Sequence, residues 1–284
     1  MQVRPGRVVR EDEGMSAASL VTVAVCQFAP TADREDNLLR IAEQTRTAAA
    51  RGARLIVFPE YASYFVAPFD VTLRENAEEL DGPFVQSLRA IAYEHDVTIV
   101  AGLVERGGDA ALVRNALVAV DATGIRARYR KQHLYDAFGA RESEWLSAGD
   151  IGAPETFEVG GIRFGLMTCY DLRFPEVGRT LVDAGADALI VPAEWVRGPL
   201  KEHHWVTLLE ARAIENTAYV IAADHPAPVG VGHSAVIDPQ GVRIAGIGSE
   251  EGVAIAELDA ELIARTREIN PVLRVRRYRV VPAE

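Results

Sequence analysis

Residues 162–176 read IRFGLMTCYDLRFPE. The apolar run 162–168 is typical of a buried strand and the segment 174–185 has helical spacing, so the chain is predicted to turn sharply at Cys169. A thiol at a strand-to-helix turn projects from the edge of a sheet, where backbone amides favour a thiolate or an oxyanion. A lone cysteine is more often a small buried core residue. The stretch therefore predicts an α/β fold and makes Cys169 a candidate nucleophile.

Strands and helices alternate on both sides of this turn, from about residue 20 to about residue 268. Further strands are predicted at 20–28, 55–58, 97–104, 188–192 and 218–224, and hairpins at 115–129 and around 238–241. About ten to twelve strands with helices between them predict an α/β protein in which helices cover two packed sheets, a four-layer α-β-β-α sandwich.

The domain organisation predicted from this pattern is simple. Residues 19–284 contain no internal repeat, low-complexity tract or linker, which favours a single domain. Residues 1–18 have mixed charges and lack the apolar core of a signal peptide, so we expect a flexible N-terminal arm. Translation starts at Met1 or at Met15, and both readings stay open.

Composition and charge exclude several partner classes. The 30 Lys and Arg against 41 Asp and Glu give a net charge of −11, which repels nucleic acid and anionic lipid surfaces. No apolar run reaches the roughly 18 residues that a membrane helix needs. The only cysteines, Cys26 and Cys169, provide no disulfide framework. We therefore expect a cytoplasmic protein without a nucleic-acid or membrane partner.

A carboxylate follows one of the predicted strands directly. Glu60 comes after the strand 55–58 through Pro59. A carboxylate so close to a core tends to have a raised pKa, which a general base near neutral pH requires. A helix-capping or surface glutamate is the alternative for this residue taken alone.

A lysine ends the strand that closes the first hairpin. Strand alternation places Lys131 on one face and the preceding Arg126, Arg128 and Arg130 on the other. A solvated edge strand is the alternative explanation of such a run. The segment 132–154 that follows has no clear period, and loops of that length are usually functional, so we expect it to line the site.

Three segments together resemble the signature segments of the nitrilase superfamily, also called carbon-nitrogen hydrolases. They are FPEY at 58–61, YRKQHL at 129–134 and CYDLRFPE at 169–176, in the same order as in that family. The resemblance runs from about Val21 to about Tyr278 and includes residues 142–150. It implies the four-layer sandwich of the nitrilase type and is nearest to the amidase branch of deaminated glutathione amidases and ω-amidases.

The resemblance also implies roles for individual residues. Cys169 would attack the amide carbon and Glu60 would take its proton, forming a thioester and releasing ammonia or an amine. Lys131 and the backbone amide of Tyr170 would hold the oxyanion. Glu142 aligns with a second glutamate that supports the lysine, although a loop-surface role is the alternative. Neither a metal nor an organic cofactor is expected.

The substrate expected from the resemblance is a small linear amide that carries a carboxylate. Arg173 is expected to bind that carboxylate, unless it pairs with Asp171 or Glu176 on its own turn. Trp195 is expected to face the substrate, with plain packing as its alternative.

Two histidine features carry no catalytic prediction. His133 is as compatible with a structural role as with a functional one. His203, His204 and Glu202 do not form a metal site by spacing, because adjacent helical side chains point about 100° apart.

The sequence is compatible with other functions, and the resemblance also predicts an assembly. An N-carbamoyl amino acid hydrolase or a nitrilase would share the fold. A catalytically silent binding or scaffold protein is the alternative from another class. A redox or papain-like thiol protein would need a resolving cysteine or an activating histidine. Cys26 is instead predicted to be a core residue of the first strand, and Glu60 with Lys131 would do the work of a histidine. We expect a homodimer or higher homo-oligomer, because sandwiches of this family commonly pair through the helices that flank the nucleophile strand.

Overall fold

A computed structural model describes residues 20–107 and 111–283 of the chain. Two six-stranded sheets face each other, and helices cover their outer faces. The predicted α/β class and the four-layer α-β-β-α sandwich are confirmed. The predicted arm at residues 1–18 lies outside the described residues. Within the described ranges, no helix is both long and apolar enough to span a membrane.

Strands alternate with α-helices over part of the chain, but five strands between residues 98 and 166 and four between residues 219 and 259 follow one another with no α-helix between them among the described residues. The strands of the described residues are β1 (Leu20–Gln27), β2 (Leu55–Val57), β3 (Thr98–Arg106), β4 (Val113–Asp121), β5 (Gly124–Arg130), β6 (Thr156–Val159), β7 (Ile162–Leu166), β8 (Ala188–Ala193), β9 (Tyr219–Asp224), β10 (Ala235–Ile237), β11 (Arg243–Gly246) and β12 (Gly252–Asp259). The α-helices are α1 (Arg34–Ala49), α2 (Val71–Glu75), α3 (Pro83–His95), α4 (Pro175–Asp183), α5 (Lys201–Asn216), α6 (Ala260–Ile269) and α7 (Val272–Val275).

The two sheets have similar plans. The strand order is β12-β1-β2-β3-β4-β5 in one sheet and β11-β10-β9-β8-β7-β6 in the other. The middle strands β1, β2 and β3 are parallel, as are β7, β8 and β9. Their direct neighbours β12, β4, β10 and β6 are antiparallel to them, and the outer strands β5 and β11 are antiparallel to β4 and β10. Middle strands buried on both faces explain the near-continuous apolar runs in the sequence.

Three apolar layers hold the sandwich together. The layer between the sheets contains side chains such as Val57 of β2 and Ile190 of β8. A second layer packs α1 and α3 against the first sheet, and a third packs α4 and α5 against the second. Asp33 caps α1 by accepting from the amides of Glu35 and Asp36, which fixes where that helix begins.

The strand directions bring the candidate residues to one edge of the sandwich. Glu60 follows β2, and Lys131 follows β5, which runs in the same direction because two antiparallel steps separate β5 from β3. Asn115 lies near the start of the oppositely directed β4 and so at the same edge. Cys169 and Glu194 follow the parallel strands β7 and β8.

Some local predictions needed correction. The strand before Cys169 ends at Leu166, and a 3-10 helix (Cys169–Arg173) precedes α4. The strand β6 was missed because it has only four residues, too few for its alternation to stand out in the sequence, although it forms a hairpin with β7. The segment 132–154 contains only a 3-10 turn, Glu142–Glu144, as expected of an irregular wall.

Gly102 of β3 allows the loop after β2 to lie directly against the sheet. A Cβ at this position would stand 2.6 Å from the Tyr61 nitrogen and 2.8 Å from the Glu60 Cα. Both neighbours are backbone atoms, which cannot swing aside as a side chain would. The position therefore requires glycine for steric reasons rather than for a special φ.

We expect Gly102→Ala to lower the free energy of unfolding by about 1–3 kcal/mol, the usual range for an overpacked core. The measurement is thermal or denaturant unfolding followed by circular dichroism. Gly152→Ala is the matched control, since a Cβ at Gly152 meets nothing within 4 Å. Equal stability of the two variants would contradict the tight approach.

Candidate active site

Glu60 is completely buried, and hydrogen bonds fix both of its carboxylate oxygens. Asn115 Nδ2 donates to Oε1 over 2.5 Å, Lys131 Nζ donates to Oε1 over 3.0 Å, and the amide of Glu194 donates to Oε2 over 2.6 Å. Burial raises the pKa of Glu60 above its ordinary value; the nearby Lys131 opposes this and the Glu142 carboxylate adds to it. Such a carboxylate is a stronger base than an exposed glutamate.

The ammonium group of Lys131 is buried between two carboxylates. It donates to Glu60 Oε1 and to Glu142 Oε1, each over 3.0 Å, with 2% of the side chain exposed. Burial alone would lower the pKa of Lys131, but Glu142 and Glu60 raise it well above the usual value. Lys131 is therefore a fixed cation.

Glu142 has its own set of donors. The Tyr61 hydroxyl donates to Oε1 over 2.5 Å, and the amide of Tyr135 donates to Oε2 over 2.5 Å. The structure thus buries Glu142 inside the cluster and excludes its alternative as a loop-surface residue.

Cys169 begins the 3-10 helix with a left-handed backbone, φ 45°. This conformation is sparsely populated for a residue with a Cβ and often occurs at functional sites. The Cys169 Sγ donates to the Glu194 carbonyl oxygen over 3.4 Å. Burial and the Glu60 carboxylate raise the pKa of Cys169 well above its ordinary value, and Lys131 only partly opposes them. The sulfur is thus a neutral thiol that needs a base to become a nucleophile.

The turn at Cys169 also orients backbone amides. Tyr170 lies in the first turn of the 3-10 helix, where amides have no acceptor within the helix. Thr168 and Asp171 form a capping box at this start, and Thr168 Oγ1 donates to the Pro192 carbonyl over 2.8 Å. The box fixes the direction of the first-turn amides.

Asp171 joins the nucleophile turn to the segment that carries Lys131. Its Oδ2 accepts from the Tyr129 hydroxyl over 2.8 Å, and its Oδ1 accepts from the backbone amide of His133 over 3.0 Å. The His133 ring lies 2.8 Å from Oδ1 through Nδ1 and stacks on Phe174. These contacts favour the structural reading of His133.

Two spaces open beside Cys169 and share part of their lining, including Glu194. The larger is a cavity of about 420 Å³ with aromatic walls that include Tyr61, Phe65 and Trp145. Residues of the segment 132–154 line it, as expected. The smaller is a recess formed by Tyr135, Cys169, Tyr170, Arg173, Glu194, Trp195, Val196 and Lys201.

Arg173 and Trp195 both lie in the wall of this recess. The Arg173 guanidinium lies 4.7 Å from the centre of the Trp195 ring, and Nη2 is 3.4 Å from His204 Nδ1. Among the described residues Arg173 makes no ion pair with Asp171 or Glu176, so that alternative is wrong for this structure. Trp195 donates from Nε1 to the Lys201 carbonyl over 2.8 Å, which combines packing with a position at the recess.

Four residues of the site were not predicted. Asn115 holds Glu60, Glu194 contacts both Glu60 and Cys169, and Lys201 lines the recess. His225 donates from Nε2 to the Glu60 carbonyl over 2.6 Å, and burial lowers its pKa to about 4. The only available signal was that Glu194 follows a strand directly, as Glu60 does.

The histidines on α5 do not form a metal cluster. No group of three or more His, Cys, Asp or Glu suited to a metal ion occurs in the part of the chain that the structure describes. Glu202 lies 3.1 Å from His233, and His204 contacts Arg173.

Comparison with known proteins gives consistent results. A family model described as carbon-nitrogen hydrolase matches residues 22–268. A deaminated glutathione amidase of Escherichia coli O157:H7 is 41% identical over 257 residues, which are 90% of this chain and 97% of that protein.

Solved structures are similar over most of the chain. The NitFhit protein of C. elegans matches with a TM-score of 0.83 and 31% identity, over 92% of this chain and 66% of that longer chain, just under two thirds. An amidase mutant from Nesterenkonia sp. AN1, with acrylamide added at its active-site cysteine, matches with a TM-score of 0.75 and 26% identity, over 88% of this chain and 97% of that one.

The sequence match with the Escherichia coli relative covers nearly all of this chain and of that protein, and the fold matches that of the NitFhit protein. The protein is an enzyme that acts on carbon–nitrogen bonds other than peptide bonds. The chain belongs to the carbon-nitrogen hydrolase family.

Proposed function

We propose that the protein hydrolyses a small linear amide bearing a carboxylate, through a thioester on Cys169. The observation that carries this proposal is the meeting of a buried thiol, a buried base and a buried cation at one cavity. A thiol needs an adjacent base and a tetrahedral intermediate needs fixed donors, and Glu60 and Lys131 meet both needs.

The first half of the reaction forms the acyl-enzyme. The Cys169 sulfur bonds to the amide carbon, its proton goes to Glu60, and the carbonyl π electrons move to oxygen. The oxyanion then re-forms the carbonyl while the carbon–nitrogen bond breaks. Glu60 gives its proton to the leaving nitrogen, so ammonia or an amine departs and a thioester remains. The raised pKa of Glu60 suits both transfers.

The oxyanion requires donors that are already in place. The Lys131 ammonium is held by two carboxylates, and the first-turn amide of Tyr170 has no acceptor within its helix. Loss of one donor of this kind typically raises the barrier by about 2.7–4 kcal/mol. Glu142 positions the ammonium and does not itself contact the substrate in this scheme.

The second half of the reaction uses the same base. Water gives a proton to Glu60 as its oxygen bonds to the thioester carbon. The resulting tetrahedral intermediate then expels sulfur, which recovers the proton. The product is a carboxylic acid, and the enzyme returns to its starting state without a cofactor.

The recess beside Cys169 supports a carboxylate on the substrate. Arg173 and Lys201 line it together, and neither forms an ion pair with a carboxylate of the described residues. A guanidinium matches a carboxylate with two parallel donors. Because a relative is named deaminated glutathione amidase, deaminated glutathione is the first substrate that we would test.

We also propose an oligomeric state and a cellular compartment for the protein. We infer a homodimer that pairs through α4 and α5, the helices beside the nucleophile strand. A cytoplasmic setting agrees with the two cysteines, which are both free and buried.

We expect Cys169→Ala to abolish release of ammonia or amine from an amide substrate, since the nucleophile is lost. Glu60→Gln should fold and fail in both half-reactions. The measurements are ammonia release and intact mass after rapid quench, which should detect an acyl adduct in the wild type.

The control is Cys26→Ala, which removes the other buried thiol, on β1 and away from the cavity. It should keep its turnover. More than a few per cent residual activity in folded Cys169→Ala would refute the assignment.

We expect Arg173→Lys to lower kcat/KM for a carboxylate-bearing amide by about 10- to 200-fold, since one charge-assisted donor pair is lost. A neutral amide of the same length should change little. Steady-state kinetics on both substrates provide the measurement, with Arg179→Lys as control, because Arg179 donates to the Glu215 carbonyl outside the recess. An equal loss on both substrates would mean that Arg173 only orders the turn.

We expect light scattering to give at least twice the chain mass of 30.9 kDa at micromolar concentration. The dimer places α4 and α5 at the interface, so Ile214→Glu, at a half-exposed position of α5, should shift the mass toward the monomer. Leu39→Glu on α1 is the control and should not. A wild-type mass of one chain would overturn the dimer.

A further inference from the structure

Glu194 follows β8 directly, and its side chain lies between the catalytic cluster and the recess. It lines both the larger cavity and the recess beside Cys169, although only 9% of the residue is exposed. None of the roles proposed above uses its carboxyl group.

The backbone of Glu194 is already engaged on both sides. Its amide donates to Glu60 Oε2 over 2.6 Å, and its carbonyl accepts from Cys169 Sγ over 3.4 Å. These two bonds fix the point from which the side chain departs, next to the reacting atoms. The side-chain carboxyl group of Glu194, unlike its backbone, has an oxygen, Oε1, that is buried without a hydrogen-bond partner among the described residues.

Charged groups lie near this carboxyl on several neighbouring elements. Glu60 lies after β2, Glu142 and Lys131 lie on the segment after β5, and Lys201 lies on α5. Asp224 ends β9, and Arg173 of the 3-10 helix lines the same recess.

Burial is the largest cause that raises the pKa of Glu194 well above its ordinary value; Glu60 and Glu142 add to it, whereas Lys131 and Lys201 oppose it. An ionised carboxylate with an unpaired buried oxygen would be costly. The burial of the unpaired Oε1 therefore favours the protonated acid, which has a hydroxyl donor.

We propose that Glu194 is a specificity residue that donates a hydrogen bond to an oxygen atom on the acyl chain of the substrate, between the scissile carbonyl and the carboxylate. The position follows from its neighbours, because Glu194 contacts Cys169 through its backbone and lines the same recess as Arg173 and Lys201. A neutral donor also avoids repelling the substrate carboxylate. The inference rests on the proposed function, since it uses the same orientation of the substrate.

Three matched substrates test this role, and they differ in one atom of the chain. They are the monoamides of glutaric acid, diglycolic acid and iminodiacetic acid, which place a methylene, an ether oxygen or an ammonium at the same point. The ratio of kcat/KM values within the trio is measured for the wild type, Glu194→Gln and Glu194→Ala. Glu202→Gln, at an exposed position of α5, is the control.

The wild type should prefer the ether over the methylene compound by about 3- to 10-fold, the usual effect of one neutral hydrogen bond. Glu194→Gln keeps a neutral donor and should keep the preference, whereas Glu194→Ala should lose it. In the wild type the preference should fall as pH rises through the pKa of Glu194, because the donor proton is lost. In Glu194→Gln it should not depend on pH.

Two outcomes would overturn the inference. A preference for the ammonium compound that Glu194→Gln abolishes would mean that Glu194 acts as an anion. An unchanged ether preference in Glu194→Ala would remove it from recognition altogether.

Binding to Cys169→Ala by calorimetry separates this inference from the proposed function. If the wild type hydrolysed neither deaminated glutathione nor any of the three amides, the proposed function would fail. Binding would still decide the role of Glu194. The ratio of the dissociation constants of the methylene and ether compounds would be measured for Cys169→Ala and for the double variant that also carries Glu194→Ala. Only Cys169→Ala should prefer the ether compound.

Discussion

The ammonium group of Lys131, buried between the carboxylates of Glu60 and Glu142, is the interaction on which the site depends. Breaking one partner of a buried ion pair typically costs about 3–5 kcal/mol, because the remaining charge stays without compensation. The three residues therefore hold one another in a single protonation pattern. That pattern leaves a base of raised pKa and a fixed cation on the same side of the thiol.

Residues that do not line the cavity hold the same cluster in place through hydrogen bonds. Asn115 and His225 hold the side chain and backbone of Glu60, and Asp171 connects the nucleophile turn to Tyr129 and His133. Preorganisation of this kind is effective in catalysis because the donors need not reorient as charge develops. The steric limit at Gly102 acts in the same direction, since it keeps the backbone of Glu60 against the sheet.

Much of the fold followed from the sequence, because strands buried on both faces leave unbroken apolar runs and glycine or proline marks their ends. Glu60, Lys131 and Cys169 each lie at or shortly after the end of a predicted strand, but their roles were predicted from the resemblance of the segments 58–61, 129–134 and 169–176 to the nitrilase signature segments. The structure brings these three together with Glu142, although their catalytic roles stay predictions. Asn115 and Lys201 were not identifiable, because an asparagine in a hairpin and a lysine on a helix are usually solvated. Their burial depends on contacts between distant segments, which no local pattern contains.

The two sheets contribute different parts of the site. Glu60, Asn115 and Lys131 come from the first sheet, whereas Cys169 and Glu194 come from the second. A chain that has formed only one sheet therefore has Cys169 without its base, or Glu60 without Cys169. Five strands of the first sheet precede Cys169 in the chain, but β12, which completes that sheet beside β1, follows every strand of the second sheet. The sulfur of Cys169 therefore meets its base only when the two sheets come together. Reactivity of this thiol is thus a property of the assembled sandwich and of neither sheet alone.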